Sequence, residues 1–378
     1  MRVTVRDDLK RVTPCEHGGK IIEASKTMPG ALDFSANFNP YFHPRIKSAI
    51  KQATQAAYQY PEHTYRRFRE SVGAYLKVSS DAIVPGNGSV ELIRLCAQAL
   101  LEKGDKVIIP APIFSEYDLA CRLSGAEPVF VPLWNEHEFK RDLFFALADE
   151  DIKMVFLCNP NNPTGKLLSR ETVTEIAAQC RATQTFLFVD EVFIELSDPR
   201  QSIVQSNLDD IFILRSLTKS FSIPGIRAGY GVTNSALAQV LNSVRLPWNL
   251  NSIAEALTVT LLKDCESYLE SSRTKIAAQR RWLVQELAKI PGLEPLESDV
   301  NFVMVNVSGT SLTSSEFASR MKRYGYLIRD CSSFRLTGHD YIRIAVRNKA
   351  ENARLLDAIK RVVDQKDQSL TREHISPR

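Results

Sequence analysis

Six short apolar runs punctuate the middle of the chain: Lys106–Ile109, Pro128–Val131, Met154–Cys158, Phe186–Asp190, Ile211–Leu214 and Ala228–Val232. They are rich in Val, Ile and Phe without clean polar–apolar alternation, which is how strands buried on both faces read. Amphipathic stretches at Val90–Leu101, Glu116–Leu123, Ser169–Arg181 and Ala236–Arg245 lie between them, and their spacing predicts helices. Buried strands alternating with helices specify a mostly parallel sheet with helices on its faces, an α/β fold.

The pattern changes after Pro247-Trp248. A charged helical stretch from about Asn251 to Lys289 ends at Pro291-Gly292. A second unit follows, with strands expected at Asn301–Val307 and Tyr341–Val346 and helices at Ser314–Tyr324 and Lys349–Val363, the make-up of a smaller α+β domain. The 378 residues therefore divide into 1–50, an N-terminal arm with part of the small domain; 51–250, the large domain; and 251–378, an interdomain helix with the rest of the small domain. About two domains is also what this length favours. The polar tail from Asp364 to Arg378 is expected to fray.

Hydrophobic residues make up 44% and charged residues 24%, the balance of a folded globular chain rather than a disordered or fibrous one. Lys and Arg total 48 against 44 Asp and Glu, and the resulting +4 is too small to point to a nucleic-acid partner. It suits a small anionic ligand, which needs only a few well-placed donors. Seven cysteines form no C-x-x-C pair and no Cys/His ligand spacing, so no metal is assigned and the thiols are expected reduced, in the cytoplasm. The stretch Met1 to Arg11 is charged throughout, unlike a secretory leader, and no window has the apolar length of a bilayer span.

The sharpest local signal is Ser216-Leu-Thr-Lys219-Ser-Phe-Ser-Ile-Pro-Gly-Ile-Arg227, directly after the expected strand Ile211–Leu214. A lysine flanked by hydroxyls, with an arginine eight positions on, suits a Schiff-base lysine beside an anchored phosphate. By itself it equally describes a surface turn. Gly86-Asn87-Gly88-Ser89 opens an apolar helix, where small residues let backbone N–H groups approach a phosphate, although a plain N-cap turn looks the same. Asp190 closes the run Phe186–Val189 and either faces a ligand, as strand ends in α/β sheets do, or caps the next element. Asn159-Pro-Asn-Asn162-Pro163-Thr-Gly165 makes a tight turn after another buried run, from which Asn162 could reach a ring hydroxyl.

Taken in chain order, as the Gly-rich turn, the Asn-Pro turn, the aspartate and the lysine segment with its arginine, these segments resemble the fold-type-I pyridoxal-phosphate enzymes of the aspartate aminotransferase superfamily, and the resemblance runs over nearly the whole chain. It implies a large domain on a mostly parallel seven-stranded sheet covered by helices, a smaller α+β domain, and pyridoxal 5′-phosphate as cofactor. Carried over by position, it implies that Lys219 binds the cofactor and later moves a proton, while Asp190 pairs with the ring nitrogen and keeps it protonated. Asn162 is expected at the 3′-oxygen, Phe114 against the ring, and Gly88, Ser89, Val90, Ser216, Thr218 and Arg227 around the phosphate. Tyr60 is expected to reach in from a second subunit, which implies a homodimer. One position departs: Asp190-Glu-Val-Phe193 has phenylalanine where many aminotransferases place a tyrosine, and Phe193 cannot donate a hydrogen bond to the 3′-oxygen.

Four further features resemble a narrower family, the L-threonine-O-3-phosphate decarboxylases of cobamide biosynthesis, relatives of the histidinol-phosphate aminotransferases. They are His17-Gly18-Gly19 followed by Leu32-Asp-Phe-Ser-Ala-Asn37-Phe-Asn39-Pro40, the lysine segment through Tyr230, Leu246-Pro-Trp-Asn249, and the arginine motifs Ile328-Arg329-Asp-Cys331 and Tyr341-Ile-Arg343. Lys20 departs from that family, which has asparagine there. The resemblance implies a small phosphorylated amino acid bound by His17, Gly18, Asn39, Asn162, Arg329 and Arg343, with neither nucleic acid nor membrane as partner. Two guanidiniums can clamp one carboxylate and one phosphate, and which takes which decides whether the Cα–C or the Cα–H bond breaks. The activity that the resemblance implies is decarboxylation of L-threonine O-3-phosphate, with decarboxylation of L-serine O-phosphate and transamination of histidinol phosphate as the alternatives. Tyr117 and Trp248 read as core or interface aromatics, and Arg347 as a solvated strand-end charge.

Overall fold

A computed structural model describes residues 10, 12–149 and 151–373; the rest, including most of the charged N-terminal stretch and the last five positions of the tail, lie outside the described residues. Seven strands form the large sheet, in the order 83–86, 229–232, 211–216, 186–190, 152–158, 106–111, 127–132. Gly229–Val232 runs antiparallel to both its neighbours, and the other pairs are parallel. Strand Phe186–Asp190 and the helices expected around the sheet follow the apolar pattern: Arg170–Ala182, before that strand, starts at Ser169, whose side chain accepts from Thr172 N–H, and Ser235–Val244, after strand Gly229–Val232, starts at Asn234, which accepts from Leu237 N–H. Phe156, Phe188 and Phe212 are completely buried on the sheet, each burial contributing about 2–3 kcal/mol relative to exposure.

A four-stranded antiparallel sheet, in the order 329–330, 341–345, 302–306, 294–295, carries the second unit. Its core joins Val305 and Ile344 to Leu283, Phe317 and Leu355 from three helices and to Phe34 from the N-terminal segment. Leu32–Asp33 pairs in parallel with Tyr326–Leu327, so the chain before the large sheet is stitched to the second unit.

The structure departs from the sequence-based expectation in four respects, the first two with a local cause. Strand Ile83–Gly86 is absent from the expected set because Pro85 and Gly86 disguise it; both are tolerated at the sheet edge it occupies. The long helical stretch is two helices, Ser252–Leu262 and Glu266–Leu287, broken where Asp264 takes a left-handed φ of 60°. The last helix runs to Glu373 rather than fraying from Asp364. Helices Ile46–Ala53, Arg66–Leu76 and Glu136–Asp149 had no sequence-based counterpart.

Candidate active site

The C-terminal ends of the parallel strands meet at one rim of the sheet. Cys158 and Asp190 are register partners there, and Asp190 pairs in turn with Leu214, two residues before Ser216. Asp190 is 4% exposed. Its Oδ1 accepts from Val192 N–H at 2.9 Å and its Oδ2 from the Tyr117 hydroxyl at 2.6 Å. Burial pushes this carboxyl up to about 6, against the lowering effect of those two bonds. The adjacent Glu191 points the other way, into a buried pair with Arg215 at 2.9 Å, so only one of the two neighbouring carboxylates faces the cavity.

Strand Ile211–Ser216 runs straight into the short helix Leu217–Ser220, which presents Lys219 to the same cavity. Burial, with the positive charges of Arg343 and Arg227, lowers the Lys219 amine to about 8, and its Nζ lies 5.9 Å from the centre of the Phe193 ring. Asn39 braces this helix from behind. Its N–H donates to Lys219 O at 2.9 Å, its Nδ2 donates to Ser220 O and Tyr268 Oη, and Ser222 Oγ donates to its carbonyl at 2.6 Å. Completely buried and fully engaged, Asn39 is not among the residues lining the cavity, whereas Asn37, two residues earlier, lines it together with Asn162.

Opposite the lysine, the start of helix Ser89–Leu100 forms a cradle with Arg227. Gly88 has φ 78°, and a Cβ there would sit 2.9 Å from Arg227 Cζ. A Cβ on Gly229 would meet Gly88 C and Ser89 N, each at 2.9 Å. Backbone, helix N-terminus and guanidinium are thus packed around a space that side chains would close, the arrangement that suits a phosphate. Ser89, Val90, Ser216, Thr218 and Arg227 all line this end.

The second unit and the N-terminal arm complete the cavity, whose volume is about 420 Å³. Arg343 is buried, and its described hydrogen-bond partners are neutral: Asn162 Oδ1, Ser35 O at 3.0 Å and, with its amide turned oxygen-inward, Asn37 at 3.1 Å from Nε. Burial lowers this guanidinium to about 10, the behaviour of a cation waiting for an anion. Arg329 donates to Glu16 O at 3.0 Å and to Ser333 Oγ at 2.6 Å and lies 3.3 Å from the Glu16 carboxylate. His17 Nε2 bonds Glu116 Oε1 at 2.9 Å, and Arg94 holds the other oxygen of that buried carboxylate at 2.8 Å. The two partners hold Glu116 at about 2.

Of the residues singled out from sequence, His17, Gly18, Ser89, Val90, Phe114, Asn162, Asp190, Ser216, Thr218, Lys219, Arg227, Arg329 and Arg343 line this one cavity, and Gly88 backs it through Arg227. Tyr60 does not: it is 79% exposed and packs against Trp248, with ring centroids 4.7 Å apart and planes tilted by 32°. Lys20 is exposed and outside the lining. Arg347 is no solvated charge but ties Asp33 O to Glu351. Sequence reasoning missed Glu116, Tyr117 and Asn37. A carboxylate at a helix start reads as an exposed dipole partner, and a tyrosine on an apolar helix face reads as core.

The donor set fits pyridoxal 5′-phosphate: a cradle for its phosphate, a buried carboxylate for its ring nitrogen and a lysine with a lowered amine for its aldehyde carbon. A lysine and an aspartate so placed on a mostly parallel seven-stranded sheet define a fold-type-I pyridoxal-phosphate enzyme. The chain belongs to the aminotransferase class I and II family, which matches over residues 29–359. It is 33% identical over 93% of its length to a protein of Caldanaerobacter subterraneus subsp. tengcongensis provisionally named threonine-phosphate decarboxylase, 95% of which is covered. It is 31% identical to histidinol-phosphate aminotransferase 2 of Archaeoglobus fulgidus, with 88% of this chain and 93% of that one covered. Histidinol-phosphate aminotransferase from Sinorhizobium meliloti in complex with pyridoxal-5′-phosphate superposes with a TM-score of 0.87 at 23% identity, over 97% of this chain and 99% of that one.

Proposed function

We propose that this chain decarboxylates L-threonine O-3-phosphate, giving (R)-1-amino-2-propanol O-2-phosphate and CO2 for cobamide synthesis. The observation that carries this reading is the anion-binding equipment left over once the cofactor phosphate is provided for: Arg343, Arg329 and His17 all face the Lys219 cavity. Three such groups suit a substrate with both a carboxylate and a phosphate held at once; amino transfer would instead use them in turn for the phosphate of histidinol phosphate and the carboxylates of 2-oxoglutarate. The relative provisionally named threonine-phosphate decarboxylase supports the same reading.

Pyridoxal phosphate, when bound, supplies an electron sink that weakens whichever substrate Cα bond stands perpendicular to its ring. Asp190 would hold the ring nitrogen, Asn162 the 3′-oxygen, Phe114 one face of the ring, and the Gly88–Ser89 turn with Ser216, Thr218 and Arg227 the phosphate. Arg343, buried and short of an anion, and Arg329, reached through the arm, fix the two ends of the substrate, and His17 adds a donor at the mouth. Holding the phosphate with His17 and one arginine would leave the other arginine to orient the carboxylate for loss, and Lys219 would then be placed to return a proton to Cα. The protein works as a homodimer in this reading, with the exposed Tyr58, Tyr60 and Leu246 covered by a second copy.

Loaded protein incubated with L-threonine O-3-phosphate should release CO2 rapidly. Phosphoserine, one methyl group smaller, should be slower by about 10- to 200-fold at most. Amino transfer from histidinol phosphate to 2-oxoglutarate without CO2 release would replace this reading with the one favoured by relatives of similar identity.

A further inference from the structure

Asp190 has a protein partner that binding a cofactor does not by itself require. Tyr117, on the helix Glu116–Ser124, is completely buried. Its ring stacks on Phe156 with centroids 5.0 Å apart and planes 16° from parallel, and meets Phe114 edge-on at 5.8 Å. Clamped between those rings, the side chain has no freedom to swing, and its hydroxyl donates to Asp190 Oδ2 at 2.6 Å. It is the one phenol among the described residues that line the cavity, because position 193 is phenylalanine.

We infer that Tyr117 is a positioning residue for Asp190: it fixes the rotation of the carboxylate and, by donating to Oδ2, favours the ionised carboxylate over the carboxylic acid. A proton shared between Asp190 and a ring nitrogen then sits on the nitrogen, where the electron sink needs it. The physical reason is the environment. Burial favours the neutral acid and Glu191 next door adds to that, while a hydrogen bond donated to the charged form opposes both. The Cys158 thiol, which also faces this pair, stays protonated because burial pushes its pKa up, and the Lys219 charge acts in the same direction as Tyr117. Phe156 and Phe114 contribute no competing acceptor, and the Cys158 sulfur, the other side-chain partner of the phenol, is a weak acceptor whose own thiol donates to Pro160 O, so Asp190 is the stronger destination for the phenol proton. The inference concerns the cofactor end of the cavity and holds whichever substrate the other end takes.

The test uses Tyr117→Phe, which keeps the stacked ring and removes only the hydroxyl. Wild type and variant are each loaded with ring-15N pyridoxal phosphate and, separately, with its 1-deaza analogue, which lacks the ring nitrogen. In the variant the 15N resonance should move toward that of an unprotonated pyridine at the same pH. Affinity for pyridoxal phosphate should fall on the order of tenfold or more, the effect of losing one hydrogen bond to a charged group. For the deaza analogue the wild-type and variant affinities should be nearly equal. A nitrogen resonance unmoved by the substitution, or an affinity ratio that is the same for both cofactors, overturns the inference and leaves Tyr117 a packing residue.

Discussion

Replacing Gly88 by alanine separates the cost of a strained backbone from the cost of a blocked phosphate cradle. Gly88 sits at φ 78° and ψ 169°, a region essentially reserved for glycine, so any side chain costs about 1–3 kcal/mol of folding stability. The new Cβ would also lie 2.9 Å from Arg227 Cζ and closer still to Nη2, which forces the guanidinium out of the cradle. Losing a hydrogen bond to a charged group costs about 1.5–3 kcal/mol, which is roughly 10- to 150-fold in affinity for pyridoxal phosphate. Gly104 supplies the control. Its φ is 91°, also in the region that side chains rarely adopt, but a Cβ there meets nothing within 4 Å. Urea unfolding should show a loss of stability in both apoproteins, while absorbance titration with the cofactor should show weakening for Gly88→Ala alone. Wild-type affinity in Gly88→Ala, or equal weakening in Gly104→Ala, would refute the cradle argument.

Lys219→Ala should abolish both the visible absorbance of bound cofactor and turnover, and retained turnover would remove the central assignment. The lowered Lys219 amine gives a pH dependence with a definite sign: attack on the cofactor aldehyde needs the neutral amine, so the rate of apoprotein loading should rise through a midpoint near about 8 and level off, rather than climb toward 10.5. Because the folded state holds that proton more weakly than the unfolded chain, this group makes apoprotein stability increase as pH rises from about 8 to 10.5; stopped-flow loading and urea midpoints across that range check both statements. His17→Ala should raise KM for the phosphorylated substrate several-fold with cofactor content unchanged, and an unaltered KM would make His17 a tether for Glu116 only.

Much of the fold was legible because the large sheet is buried on both faces, so runs such as Phe186–Val189 announce themselves by composition alone. Where polar or breaking residues do structural duty, that signal fails. Ile83–Gly86 is a strand despite Pro85 because the sheet edge leaves its nitrogen without a ladder partner to miss, and nothing local marks Asp264 as the place where a helix breaks. The cofactor end of the site was legible for a different reason: the aspartate closes a strand that its composition announces, the lysine follows another, and the glycine-serine turn opens an apolar helix, so chain order fixes their position. The substrate end depends on an irregular segment whose side-chain directions no period sets. Asn37 and Asn39, two residues apart, could not be told from each other until one was found against Arg343 and the other beneath Lys219. Tyr117 was hidden more deeply, since its ring does belong to the core and only the hydroxyl reaches the chemistry.

The account turns on which substrate bond is broken, and a label in the carboxyl group reports that directly. L-threonine O-3-phosphate carrying 13C at C1 would be incubated with the loaded protein in D2O and followed by NMR. The account expects labelled bicarbonate, and 1-amino-2-propanol O-2-phosphate bearing one deuterium on the carbon that lost the carboxylate. Exchange of the Cα hydrogen for deuterium with the label still in the carboxyl group would contradict it, and would mean that Arg329 and Arg343 hold the substrate for Cα–H cleavage instead.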